Sequence, residues 1–298
     1  VSRATPCAGR PWREIGLFAL LTLAASAPFY TLILWTGRTG GAHGAYATGL
    51  MWAPGLAALA ACRLLRVPLA TLGWGIGAPR WLLLAVLIPL AYSLLAYAAV
   101  WIFGFGRVPD PEYVEWARRD LGWSAAPDWI VLAGSILLAA TTGLVQGLAR
   151  ALGEEMGWRG FLSPRAAAAF GPGRGTALTA ICWFLWHLPL ILAADYNDGA
   201  DRGYALLCFG VLVAAMSVML GWLRARSGSL WPCALLHAAH NLLIQTILTP
   251  VTGSVGPATD RAIGEFGAAV PAAMLVLVCV AWGAGALRRG PGESRALF

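Results

Sequence analysis

Three clusters of ionisable and amide side chains interrupt an otherwise apolar sequence, and their residue types are those of acid–base and hydrogen-bonding chemistry. The first is Glu-Glu-Met-Gly-Trp-Arg-Gly, which contains Glu154, Glu155 and Arg159. Residues four apart on a helix share a face, so Glu155 and Arg159 can form an ion pair. Glu154 then points about 100° away and is left for another task. Gln146 and Arg150 lie two turns and one turn before Glu154 and prolong the polar face. The plain alternative is a cytoplasmic loop with solvated charges.

The second cluster, Trp-Phe-Leu-Trp-His-Leu-Pro, places His187 deep in an apolar run. A histidine inside a membrane is costly and faces the bundle interior; a structural histidine bonded to a neighbouring helix is the alternative. The third, Leu-Leu-His-Ala-Ala-His-Asn-Leu-Leu, contains His237, His240 and Asn241. His237 and Asn241 are four apart and can donate hydrogen bonds towards one point. His240 lies near the same face but offset. Here the alternative is polar glue between helices. Of the 4 histidines, three fall in two apolar runs, a joint pattern that chance explains poorly.

These residues need helices to position them, and the composition says what kind. Hydrophobic residues make up 59% of the 298 and charged residues only 12%, against about a quarter charged in a soluble domain. The expected fold is all-α: a polytopic integral membrane helical bundle of about eight transmembrane helices. Its apolar segments are roughly 14–36, 45–65, 81–103, 129–162, 176–194, 203–223, 229–249 and 266–287. The whole chain, 1–298, reads as a single transmembrane domain with its motif-bearing core at about 129–249. The apolar part of the fourth segment ends near Leu148, but a helical pattern could continue to Leu162, where Ser163-Pro164 would stop it. The stretch from about Ile15 to Trp35 is long enough to span and is read as the first helix rather than a signal peptide. The segment 104–128 holds Pro-Asp-Pro-Glu-Tyr-Val-Glu-Trp-Ala-Arg-Arg-Asp, either a short amphipathic helix or a solvated linker.

The net charge is +7, and all 21 basic residues are arginine. They sit between apolar runs, which marks membrane topology and not a nucleic-acid surface. With the N-terminus in the cytoplasm, only Arg38, Arg107, Arg118, Arg119, Arg202 and Arg261 fall outside, and the other 15 fall inside. Setting aside Arg150 and Arg159 as embedded leaves 13 inside. Both counts place the N- and C-termini in the cytoplasm, most simply in a plasma membrane. The 6 cysteines, Cys7, Cys62, Cys182, Cys208, Cys233 and Cys279, form no Cys-x-x-Cys pair and read as small buried hydrophobes.

At 1.5 Å per residue, His187 lies about 16 Å and His237 about 12 Å from the inner ends of their helices. If the fourth helix reaches Leu162, Glu154 lies about 12 Å from its inner end. Charged groups at that depth need a water-filled cavity, and hydrolysis needs the same water.

The three motifs, in this order, resemble the CPBP family, the CAAX proteases and bacteriocin-processing enzymes also called the Abi family. The family pattern is EExxxR, FxxxH and HxxxN or HxxxD. It matches Glu154-Glu155-x-x-x-Arg159, Trp183-x-x-x-His187 and His237-x-x-x-Asn241. Trp183 departs from the usual Phe, which bears on substrate fit more than on chemistry. The resemblance implies an intramembrane endopeptidase with catalytic residues Glu154, His187, His237 and Asn241. Glu154 and His187 would position and deprotonate a water, while His237 and Asn241 would donate to the oxyanion. A carboxylate is a good base, and Asn acts only through hydrogen bonds, so the inventory agrees. Glu155, Arg159 and Trp183 would be supporting residues.

The family is often labelled metalloprotease, and Glu154, His187 and His237 form an alternative zinc set. These ligands come from three helices without an HExxH signature, and a glutamate mechanism without metal or other cofactor explains Asn241 more directly. The implied partners are a peptide or membrane-protein substrate and the lipid bilayer, with no nucleic acid. Two other readings stand beside this one. A non-enzymatic membrane immunity or partner-binding protein could use the same scaffold, although a binder would not need all four motif residues. A small transporter or proton relay would also carry intramembrane carboxylates and histidines.

Overall fold

The computed structural model describes residues 11–40, 44–197 and 201–287. Cys7 and the topology arginines Arg3, Arg10, Arg288, Arg289 and Arg295 lie outside the described residues. Three long helices come first: α1 (Pro11–Thr36), α2 (Gly44–Leu65) and α3 (Pro79–Ile102). A short helix, α4 (Pro111–Leu121), follows. One helical run then extends from 128 to 170. It comprises α5 (Asp128–Leu138), a π-helical stretch (Ala139–Gly143), α6 (Leu144–Glu155), a second π-helical stretch (Met156–Leu162) and α7 (Ser163–Phe170). The remaining helices are α8 (Pro172–Ala193), α9 (Arg202–Ser227), α10 (Trp231–Asn241) with a π-helical continuation (Leu242–Leu248), α11 (Pro257–Ala262) and α12 (Ala269–Gly283). Among the described residues there is no strand; Arg107 and Gly253 form one isolated antiparallel bridge.

The fold is thus the all-helical membrane bundle that composition predicts. Among the described residues, six helices are long and apolar enough to cross a membrane: 11–36, 44–65, 79–102, 128–170, 172–193 and 202–227. The other two expected segments are also helical. The run 231–248 carries two histidines, an asparagine and a glutamine, which lower its hydropathy, and Ala269–Gly283 is shorter. Only 11% of the apolar window in 128–170 is buried inside the protein. A helix so apolar and so little covered requires lipid around it. Trp12 and Trp35, near the two ends of α1, are both exposed. They stand about 35 Å apart along the axis, the spacing of two interfacial tryptophans across a bilayer.

Packing groups the chain into two compact units. The first contains residues up to 79, 150–196 and 217–234. Within it α1 packs against α2, and α2 lies against the second π stretch. Small residues make that approach close. A Cβ on Gly153 would stand 2.8 Å from the Met51 carbonyl oxygen, and one on Gly157 only 2.5 Å from Pro54 Cβ. This small-xxx-small face lets two helix backbones touch.

Ser163-Pro164 does not stop the helix, contrary to the sequence expectation. Pro164 occupies the first turn of α7, directly after the π stretch. There the wider π turn absorbs the missing N–H and the ring that would clash in a regular helix. The run ends instead at Gly171, whose φ of 83° is open to glycine, with its N–H bonded to the Ala167 carbonyl.

The second unit contains residues 80–149, 197–216 and those from 235 on. Here α4 resolves the choice between helix and linker. Asp110 caps it by accepting from Glu112 N, Pro111 opens it, and Gly122 closes it at φ 68°. Its apolar side, Val114 and Ala117, packs on Val131 of α5.

Candidate active site

In the first unit, the end of α6 and the π stretch after it carry the first motif, and α8 carries the second. Glu154, Glu155, Arg159, Trp183 and His187 are all buried. Arg159 Nη1 bonds Glu155 Oε1 at 3.0 Å, the ion pair expected from the four-residue spacing. Arg159 is held further from outside its own helix. Its Nη2 donates to Ser217 Oγ at 3.0 Å, its guanidinium lies 4.3 Å from the Trp183 ring centroid, and its carbonyl accepts from Arg224 Nε at 3.0 Å. A buried ion pair needs such extra partners to offset its desolvation.

Glu154 does not stand apart as its helical angle implies. Its Oε2 accepts a hydrogen bond from Trp183 Nε1 at 2.8 Å. No described residue hydrogen-bonds Oε1. One carboxylate oxygen is therefore anchored and the other is left for a ligand. The same tryptophan orients the histidine one turn on: His187 Nδ1 lies 2.9 Å from the Trp183 carbonyl oxygen. A carbonyl only accepts, so Nδ1 carries the proton and Nε2 is the acceptor of the neutral ring. Edge contact with Trp186, centroids 4.8 Å apart, and stacking on Tyr196 at 5.8 Å fix the ring plane. Trp186 is held in turn from α1, donating Nε1–H to Ser26 Oγ at 2.9 Å and accepting from the Tyr30 hydroxyl through its carbonyl.

In the second unit, α10 carries His237, His240 and Asn241. His237 and His240 are buried and Asn241 is half-buried. His240 is fully engaged by other segments. Its Nδ1 lies 2.8 Å from the Tyr92 hydroxyl of α3, and its Nε2 donates to Glu265 Oε1 at 3.0 Å. This histidine anchors α10, which explains its offset from the His237–Asn241 face. Sequence reasoning missed Tyr92 and Glu265 as partners. Their only signals were a hydroxyl in an apolar run and an acid at the edge of another, and no spacing joins them.

Among the described residues, no three His, Cys, Asp or Glu side chains form a group that could hold a metal ion. The described cysteines, Cys62, Cys182, Cys208, Cys233 and Cys279, are free.

Residues 128–243 match the family model described as Type II CAAX prenyl endopeptidase Rce1-like. The match begins at the first residue of α5 and ends two residues after Asn241, so it encloses all three motifs. The chain is also similar to CAAX prenyl protease 2 of Methanococcus maripaludis, with 27% identity over 108 residues. That alignment covers 34% of this chain and 35% of the relative, about a third of the length of each. These matches agree with the resemblance carried by EExxxR, W/FxxxH and HxxxN: residues 128–243, the motif-bearing core of this chain, are similar to the Rce1-like CAAX prenyl endopeptidases.

Proposed function

We propose that the chain is an intramembrane endopeptidase that uses Glu154 as general base. The observation that carries this reading is the asymmetric holding of that carboxylate, with Oε2 bound by the Trp183 indole and Oε1 open among the described residues. A fixed, half-satisfied carboxylate in a buried site is suited to orient a water and take its proton. His187, with Nδ1 committed to the Trp183 carbonyl, accepts the water's second hydrogen at Nε2.

The water oxygen bonds to the scissile carbonyl carbon, and the carbonyl electron pair moves onto oxygen. His237 and Asn241 donate hydrogen bonds to that oxyanion. Glu154 then passes its proton to the leaving nitrogen as the C–N bond breaks. Glu155 and Arg159 keep the π stretch and its carboxylates in place. The substrate is a peptide or membrane protein reached from the bilayer. The relative's name supplies the first one to assay, a peptide ending in a prenylated CAAX sequence. The N- and C-termini lie in the cytoplasm, and the membrane is the plasma membrane.

The test is cleavage of that peptide, and of its unprenylated counterpart, by the purified chain in detergent. Wild type should release product, with or without a strong chelator, and Glu154→Gln should not. Cleavage by Glu154→Gln at the wild-type rate would sink the assignment.

A further inference from the structure

The second unit carries an open cavity of about 550 Å³ in the size range of ligand sites. Its walls include two of the π-helical stretches, Ala139–Gly143 and Leu242–Leu248, which pack against each other. At Gly143 a Cβ would stand 3.2 Å from Leu242 Cδ1. π-helical turns cluster at functional sites because they interrupt the regular backbone ladder. Here two such turns border one space.

Thr142 and Gln146 from one wall, and Gln245 and Thr246 from the other, line this space and are exposed. Neither glutamine amide has a hydrogen-bond partner among the described residues. Gln146 lies in a helical run that is long and apolar enough to span the membrane. Lipid would leave these amides unsatisfied at a cost of several kcal/mol (~2–7) each. Water or a polar ligand is therefore required there.

The wall chemistry selects among polar occupants. An uncharged amide both donates and accepts, as a peptide group does. Among the lining side chains only Asp120 is charged, so the lining offers no cation for an anionic ligand. Tyr113 and Trp116 of α4 add aromatic surface beside the amides, which suits the side chains of an extended peptide whose backbone needs partners. Gln245 follows Asn241 by one turn in the same helical run.

We propose that this cavity binds an extended segment of a polypeptide substrate, with Gln146 and Gln245 pairing its backbone and Tyr113 and Trp116 holding its apolar side chains. The identity of the occupant rests on the endopeptidase reading.

Two measurements test it on the full chain in detergent, with the biotinylated CAAX peptide as probe. A benzophenone side chain in place of Thr246 in the Glu154→Gln protein should crosslink to the peptide. The same group in place of Val145, exposed but absent from the cavity lining, should not. In otherwise wild-type protein, Gln146→Ala with Gln245→Ala should raise KM about tenfold with kcat unchanged, the loss of two neutral hydrogen bonds. No crosslink from position 246, a crosslink only to detergent or lipid, or an unchanged KM overturns the proposal. If wild type fails to cleave and the crosslink still forms, the binding site stands and the endopeptidase reading falls. If wild type cleaves while both measurements are negative, the reverse holds.

Discussion

Trp183 Nε1 donates to Glu154 Oε2 at 2.8 Å, joining the second motif to the first through a side chain that phenylalanine could not replace. The FxxxH pattern that this motif resembles has Phe at this position, which offers no N–H to the carboxylate. Trp183→Phe keeps an aromatic ring beneath Arg159 and removes the N–H together with part of the indole. A hydrogen bond to a charged group is worth about 1.5–3 kcal/mol. The expected result is a kcat lower by about ten- to a hundredfold, with KM and unfolding temperature little changed. An unchanged kcat would show that the indole N–H does not position Glu154.

Glu154 and Glu155 are adjacent, equally buried and predicted to fail differently. Glu154→Gln should abolish cleavage and leave the protein folded, because the amide keeps the shape but takes no proton. Glu155→Gln should instead cost stability, about 3–5 kcal/mol, since it leaves the Arg159 charge buried and uncompensated. Expression yield and detergent unfolding curves read the second effect. Equal yields for both variants would count against the structural role of the Glu155–Arg159 pair.

Asn241→Ala should slow cleavage without eliminating it. Loss of one oxyanion donor typically costs about 10²–10³-fold in kcat. A strong chelator should leave the wild type active. Inhibition by chelator that added zinc reverses would replace the metal-free scheme and recast Glu154, His187 and His237 as ligands.

The glycine face of the motif helix gives a prediction about packing alone. Gly157→Leu places a branched side chain where even a Cβ would be 2.5 Å from Pro54. Overpacking of this kind costs about 1–3 kcal/mol or more. The unfolding temperature should drop, whereas an equivalent change at Gly16, which has open space around it, should not. Equal stability of the two variants would rule out close α2 packing at Gly157.

Topology is testable without activity. The arginine asymmetry predicts that reporters fused at Phe298 and inserted near Glu115 report opposite sides of the membrane. Both on one side would refute the proposed orientation.

Local periodicity carried what the sequence determined by itself. The Glu155–Arg159 pair follows from a four-residue spacing, because neighbouring turns meet whatever surrounds them. Composition and apolar run length made the bundle legible, since lipid admits only helices or closed barrels. Tertiary structure decided the rest. Trp183 reaches Glu154 across 29 residues, and Tyr92 and Glu265 reach His240 from segments with no pattern in common with it. The π stretches also escaped the sequence. Such a turn depends on how a helix packs and on whether a feature such as Pro164 can be accommodated, and no residue spacing announces it. Glu154 looked unengaged because a helical angle says which way a side chain points and nothing about what has been brought there to meet it.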